Sequence, residues 1–494
     1  MKLIPDKIPI KVGHRSICVL NDHTAHNLDL HAGDRVRLKN GSKTSITAIL
    51  EISEDTKEIR DTEIGLYIET WEKLKAKRGN KINITVAEKP LSVIYIKEKL
   101  EGKSLSAEKI DVIIKDVVNE NLSDVEISYF VSGCFINGLS DKETVDLTKS
   151  IVNNGNRLKF KKKIVLDKHC IGGVPGNRTT MIIIPIITAL GLTMPKTSSR
   201  AITSPSGTAD TMEVLANVLN KAPKLQKIAD KVGGFITWGG GVDLAAADDK
   251  MIRARHPLSL DPKGMLLASI MAKKHAASST HVLIDIPVGP QVKIKDMKTA
   301  KDLGADFRKI GRKLGMKVEV LYSKGEQPVG NGIGPSLEAA DVMKVLECAP
   351  DAPKDLRNKS IEMAGILLEL CGKARKRKGA KLAQETLDSG KAHEQMLKII
   401  KEQGPVRKKL RLGEFKKIIL AKKSGKIKAI NNKLIAHIAR SAGAPKDKEA
   451  GIYLHKKLKQ RVKKGEALYT IYADIKDRLK YTENYDLHGV YTIK

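Results

Sequence analysis

Residues 168–210, KHCIGGVPGNRTTMIIIPIITALGLTMPKTSSRAITSPSGTAD, set the tightest limit on what this chain can fold into. They hold two loops rich in Gly, Ser and Thr, 172–180 and 198–210, on either side of a short apolar segment. The preceding KIVL (163–166) reads as a buried strand, and the first loop begins where that strand should end. A small-residue loop at the carboxyl end of a strand, running into a helix, turns backbone N–H groups toward an anion. Two such loops, with Lys168 and Arg200 beside them, predict a site for phosphate or a phosphorylated ligand. A single Gly-rich loop would mean no more than a tight turn.

With 494 residues the chain has room for two to four domains, each with its own core. Hydrophobic residues at 41% and charged ones at 30% describe a soluble globular protein. The longest strongly apolar run, 181–192, contains Pro185 and is too short to span a bilayer, so no membrane association is expected. MKLIPDKIPI at the amino terminus lacks the features of a secretory signal. Cys18, Cys134, Cys170, Cys348 and Cys371 are scattered, with no Cys-x-x-Cys pair. That usage fits a reducing, cytoplasmic location and excludes a disulfide framework or zinc site. The net charge of +32 would attract polyanions. Aromatics are only 4%, however, and no nucleic-acid module is recognisable. The basic residues are spread along the chain, and the densest run, KARKRKGAK (373–381), reads as a solvated face. The charge is a general bias toward anionic substrates, with no specific nucleic acid implied.

The organisation predicted is α/β, with four parts. Residues 1–86 are β-rich, with alternating segments DRVRL, SITAIL and INITV between turn signals. From residue 90 the period becomes helical: Ile110, Ile113, Ile114, Val117 and Val118 share a face. Ser123-x-x-Glu126 and Ser140-x-x-Glu143 then read as capping boxes. Residues 90–158 thus form a helical bundle, completed by a helical insert at 244–278. Strands and helices alternate over 160–243 and 279–405, which predicts the α/β phosphate-binding domain. Residues 406–494 read as a small β-rich domain.

Four further features carry chemistry. Asp261 lies near Arg253 and Arg255; Ser269 and Lys273 are four apart and share a helix face; Lys293 sits in a VGPQVK loop after a strand; His169 and Cys170 follow Lys168. Each has an ordinary reading. Asp261 precedes Pro262 and could serve only as a helix cap. Ser269 and Lys273 are common helix-surface residues, and lysines like Lys293 abound. A thiol and imidazole adjacent in sequence rarely form a working pair. From the residues alone, only the two loops rise clearly above the ordinary.

Asp167-Lys168-His169-Cys170-Ile-Gly172-Gly173-Val resembles the DKHSTGGVGD signature of thymidine and pyrimidine-nucleoside phosphorylases. SSRAITSPSGTADTMEVLA (198–216) is closer to the archaeal-type AMP phosphorylase branch of that family. The resemblance runs over nearly the whole chain, including an N-terminal domain of about 85 residues that the thymidine enzymes lack and the C-terminal region 442–474. It implies a central α/β phosphorylase domain, a helical bundle domain, and small β-rich domains at both ends.

The resemblance also implies phosphorolysis of nucleoside 5′-monophosphates: AMP and inorganic phosphate give adenine and ribose 1,5-bisphosphate, with CMP and UMP as further substrates. On the family's AMP-binding positions fall Gly173, Ser199, Arg200, Ala201, Ile202, Thr203, Ser204, Thr208, Ser269 and Lys293, and Asp261 falls on its proton donor. Lys168, Ser198 and Thr208 match positions that grip phosphate in the thymidine enzymes. Inorganic phosphate is a substrate, and no cofactor or metal is implied. A homodimer or larger homo-oligomer is expected.

A departing base needs a proton, and an acid must hold it until then, so Asp261 is expected to be buried or to lie near a phosphate. Arg253 and Arg255 are expected to face away from it, and Arg200 to offer donors to a 5′-phosphate. Cys170 replaces the signature Ser, as in the AMP branch. The shorter VGPQVK loop leaves no basis for carrying over a monovalent-cation role. The alternatives are a thymidine or pyrimidine-nucleoside phosphorylase and, from another class, a basic nucleic-acid-binding protein.

Overall fold

A computed structural model describes all residues except His14, Lys43, Thr56, Ile202, Thr203, Asp243, His256, Ser259 and 407–409. The chain forms two compact units: Met1–Gly138 with Lys250–Leu260, and Leu139–Asp249 with Asp261–Lys494.

In the first unit, strands Lys2–Ile8, Ile17–Asn21, Arg35–Asn40, Thr44–Ser53, Glu63–Tyr67 and Ile82–Val86 close into a barrel. Alternation explains the closure: Val36 and Leu38 point into the core while Arg37 and Lys39 stay outside. A closed barrel leaves no strand edge unpaired. Helices Leu91–Leu100, Ala107–Val118 and Asp124–Ile136 follow, and Ile110, Ile113, Ile114 and Val117 are buried on one stripe. The capping box at Ser123 is formed, with Glu126 closing it.

The second unit is built on parallel strands. Leu166–Cys170 pairs with His281–Val288, which pairs with Lys317–Lys324. Met194–Ser198 pairs with Gly234–Trp238, and a parallel bridge from Val165 to Thr193 joins this pair to the others. Helices cover both faces, as side-chain alternation demands. On His281–Val288, Val282, Ile284 and Ile286 pack with Phe307, Leu267 and Met271. Leu283 points the other way, into a core with Met181, Ile184 and Leu367. The apolar run expected to be a buried helix or strand is helix Thr179–Ala189. Ser140 and Glu143 form the second capping box at the start of helix Asp141–Asn153. Helix Lys263–Ala276 lies on that helix, with Gly264 against Leu139 and Thr144.

One expectation is corrected here. The strand before the first loop is Leu166–Cys170, not 163–166. The ladder with His281–Val288 runs on through Cys170, so Asp167 and Lys168 are interior strand residues. The two compact units group the segments differently from the expected domains. The barrel and three helices fall in one unit, helix Asp141–Asn153 in the other, and only Lys250–Leu260 of the insert goes with the first. Nor do the C-terminal strands stand alone, because Gly332–Ile333 pairs with Gly451–Leu454 in the same sheet as Ala467–Ala473 and Phe415–Leu420. Long-range strand pairing of this kind leaves no mark in local composition.

Burying Asp167 requires partners. Its carboxylate accepts from Lys274 Nζ at 2.6 Å, Lys196 Nζ at 3.2 Å and the Lys168 amide at 2.6 Å. Burial pushes the Lys274 amine down to about 7, against the pull of Asp167. Removing the carboxylate would leave two buried amines facing each other. Asp167→Ala is therefore expected to destabilise the protein by about 3–5 kcal/mol. Lys274→Met should cost less, because Lys196 still pairs the carboxylate and one buried charge is gone. Urea denaturation of the two variants checks the order, and equal losses would refute it.

Candidate active site

The first loop leaves its strand at Ile171 and enters helix Thr179–Ala189. Two of its glycines are required by close approach. A Cβ on Gly173 would lie 3.0 Å from Val292 and 3.1 Å from the Lys293 amide, so the loop rests directly on the lysine loop. A Cβ on Gly176 would lie 2.1 Å from the Val329 carbonyl. Both have positive φ, which suits glycine. Lys168 is buried beneath the loop, donating to Thr179 Oγ1 at 2.9 Å, and burial lowers its pKa.

His169 and Cys170 point to opposite faces of the strand. Burial and surrounding lysines push His169 well below its ordinary range, and burial raises the Cys170 thiol. A neutral imidazole beside a neutral thiol is no nucleophile pair. Cys170 instead receives a hydrogen bond from Asn177 Nδ2 at 3.3 Å.

Arg178, the last residue before the helix, joins the two loops. Its Nε donates to Glu338, one terminal nitrogen to Thr208 Oγ1 at 3.0 Å, and the other to the Ser206 carbonyl at 2.7 Å. Glu338 is buried, accepts from the Gly334 amide at 3.1 Å, and also receives Thr211 Oγ1 at 3.1 Å. Burial raises its pKa and Arg178 opposes that rise. Thr208 is thus held beside the first loop, as the two-loop reading requires.

Within the second loop the structure corrects two expectations. Arg200 does not present its guanidinium to a ligand. It donates to Glu213 at 2.7 Å and Asp210 at 3.1 Å, and lies 5.3 Å over the Trp238 ring. Some of the loop's backbone donors are taken as well. The Ala201 amide donates to Asp210 Oδ2 at 2.7 Å and the Gly207 amide to the same atom at 3.0 Å. Asp210 is buried, so a carboxylate of the chain itself takes up these two donors. Ser199 and Ser204 are exposed, with the Ser204 hydroxyl donating to the Ser206 carbonyl at 3.1 Å. Ile202 and Thr203 lie outside the described residues.

Asp261 comes within 3.2 Å of Lys293 Nζ, which ties the expected acid to the lysine loop and, through Gly173, to the first loop. The burial expected for Asp261 is absent: its side chain is 43% exposed. Nor does it occupy the cap of the next helix, where Pro262 stands. Arg253 and Arg255 belong to the other unit. Ser269 is buried and shares a helix face with Lys273, as expected. Its Oγ donates to Asp248 Oδ2 at 2.7 Å, and Lys273 Nζ reaches the same atom at 2.7 Å.

Arg178, Glu338, Asp210 and Asp248 organise the two loops and the Ser269 helix face, and the sequence reading did not single them out. Asp210 had a signal, standing three residues after Gly207 where a helix-capping carboxylate belongs. Glu338 had none, being 160 positions from Arg178.

Three family models match: "Glycosyl transferase family, helical bundle domain" at residues 93–155, "Glycosyl transferase family, a/b domain" at 162–261, and "Pyrimidine nucleoside phosphorylase C-terminal domain" at 426–493. The chain is 44% identical to an AMP phosphorylase of Methanococcoides burtonii, over 97% of this chain and 94% of that one. It is 41% identical to an AMP phosphorylase of Methanococcus maripaludis, over 99% and 96%. A putative thymidine phosphorylase of Legionella pneumophila (strain Paris) is 42% identical, over 96% and 91%. Among solved structures, anthranilate phosphoribosyltransferase from Thermus thermophilus matches with a TM-score of 0.54 at 16% identity, over 62% of this chain and 98% of that one. That likeness concerns the fold.

The second loop's anchor carries a pH signature. Hydrogen bonding from Arg200, aided by Lys448 at 2.8 Å, holds Glu213 down to about 2 from an ordinary 4.5, against the opposing effect of burial. Between those values the unfolded chain binds more protons than the folded one. The stabilisation is therefore complete above pH 4.5 and lost as pH falls toward 2. Glu213→Gln is expected to flatten the acid limb of stability against pH, measured by denaturant unfolding from pH 6 to 3. An unchanged slope would exclude this tie as its source.

Proposed function

Because the chain belongs to the AMP phosphorylase branch of the thymidine and pyrimidine-nucleoside phosphorylase family, we propose that it cleaves nucleoside 5′-monophosphates with inorganic phosphate. AMP and phosphate give adenine and ribose 1,5-bisphosphate, and CMP and UMP are further substrates. The observation that carries this reading is the near-full-length identity to AMP phosphorylases, joined to two small-residue loops tied by Arg178.

In the reaction a phosphate oxygen forms a bond to C1′ as the bond from C1′ to the base nitrogen breaks. The bonding pair leaves with the base, so the sugar passes through an oxocarbenium-like state. Asp261 supplies the proton that neutralises the departing adenine. It must be protonated when it acts, so substrate has to separate it from Lys293. An arriving phosphate competes for that ammonium and does so. Lys293 then serves the anion and Asp261 the base. The exposed hydroxyls of Ser199 and Ser204 and the loop's remaining amides bind the 5′-phosphate, while Arg200 acts from beneath by shaping the loop. Thr208, oriented by Arg178, and Gly173, which admits the lysine loop, complete the phosphate side.

Among the described residues no helix is long and apolar enough to cross a membrane. We assign the enzyme to the cytoplasm, acting without a cofactor as a homodimer or larger homo-oligomer.

Phosphate-dependent release of adenine from AMP, compared with adenosine and thymidine, tests the assignment. Release from AMP well above that from either nucleoside is expected. Equal turnover of adenosine would remove the nucleotide requirement, and preferential turnover of thymidine would favour the pyrimidine-nucleoside alternative. Asp261→Asn should retain AMP binding while turnover falls by roughly 100-fold or more. Wild-type rates in that variant would refute its role as the acid.

A further inference from the structure

We propose that Lys448 and Lys457 are positioning residues, one for each Gly, Ser and Thr loop, carried at the two ends of a single strand. Which substrate each loop serves rests on the phosphorylase reading; the brace itself does not.

Strand Gly451–Leu454 lies between the two lysines. It pairs with Gly332–Ile333 on one edge and with Ala467–Ala473 on the other, so it cannot shift without breaking two ladders. The chain is anchored again beyond each end. The Ser336 amide donates to the Lys448 carbonyl at 3.0 Å, and the Leu458 amide donates to Gln327 Oε1 at 2.8 Å.

From the first end, Lys448 Nζ lies 2.8 Å from Glu213 and 3.5 Å from Asp210. Those carboxylates hold Arg200 and the Ala201 and Gly207 amides, so Lys448 ties the base of the second loop to the strand. From the other end, Lys457 Nζ donates to the Pro328 carbonyl at 3.0 Å, to the Gly330 carbonyl, and to Asp355 Oδ2 at 3.0 Å. An ammonium has three protons, and all three are placed. The two carbonyls flank Val329, whose backbone carries the first loop. Val329 accepts from the Asn177 amide at 2.9 Å and donates to the Pro175 carbonyl at 3.2 Å. Both lysine side chains are mostly covered, at 23% and 17% exposure, so solvent screens these contacts little.

Loss of either lysine should therefore loosen one loop and spare the other. Lys448→Met is expected to raise KM for AMP by about tenfold, with KM for inorganic phosphate within about twofold of wild type. Lys457→Met should do the reverse. Lys448→Arg keeps a cation for Glu213 and should restore most of the affinity for AMP. Loss of folded protein alone would lower the rate at saturation and leave both KM values where they were.

Amide hydrogen exchange reads the brace without any substrate. Lys448→Met should speed exchange at Ala201 and Gly207 by about tenfold and leave Asn177 unchanged, and Lys457→Met should show the opposite pattern. Equal changes in both loops, or none in either, would overturn the proposal. If Lys457→Met does not fold, the Lys448 variants decide: selective loosening in Lys448→Met with recovery in Lys448→Arg supports the brace, and loosening of both loops overturns it. If the wild-type protein releases no adenine from AMP, the phosphorylase reading fails by itself, and the exchange pattern alone judges the brace.

Discussion

The buried ion pair between Glu338 and Arg178 is the constraint on which the rest of the site depends. Burial raises the pKa of Glu338, and the Arg178 guanidinium paired with it opposes that rise. The pairing fixes the guanidinium plane, and the two terminal nitrogens then reach Thr208 and Ser206 in the second loop. Arginine's fork suits this task where lysine's single ammonium could not span both contacts. The two loops are separated by helix Thr179–Ala189 and strand Met194–Ser198 and contain few side chains able to hold a shape. One rigid cation between them supplies that shape.

A second layer of buried charge lies under the first loop. Alternation along Leu166–Cys170 sends Asp167 toward Lys274 and Lys168 toward Thr179, on opposite sides of the sheet. Asp285, on the neighbouring strand, is matched by Lys359 at 2.9 Å and Ser323 at 2.5 Å. Asp167 and Asp285 each have an ammonium, and Asp167 has two. A strand carrying Asp, Lys and His in its interior looks unlike an ordinary core strand. Only these long-range partners make it one.

That explains what could and could not be read in the chain. Capping boxes at Ser123 and Ser140, the helical stripe from Ile110 to Val117, and the alternation of Val36 and Leu38 are local signals, and each folds as its spacing demands. Nothing in the sequence paired the expected acid with Lys293, since no spacing rule connects positions 261 and 293. Arg200 misled because a cation in an anion-binding loop is naturally assigned to the anion. The carboxylates that claim it, Asp210 and Glu213, lie in the very next helical segment, yet their direction depends on a fold in which Ala201 and Gly207 come together over Asp210. Strand limits failed at 163–166 for the same reason, because charge was taken as the end of burial.

The occupied donors bear on how such a site can favour a nucleotide over a nucleoside. A loop whose amides all pointed freely outward would bind any anion and would pay for it in stability, through unpaired polar groups. Here Asp210 satisfies Ala201 and Gly207 from within, and Arg200 neutralises Asp210 while resting on Trp238. The backbone at Ala201 and Gly207 is thus fixed from within the chain. Selectivity then comes from where the remaining hydroxyls and amides are held, not from the number of cations near them. A similar contact occurs on helix Lys263–Ala276, where the Ser269 hydroxyl donates to buried Asp248. In both places a buried carboxylate of the chain fixes the direction of a neighbouring polar group.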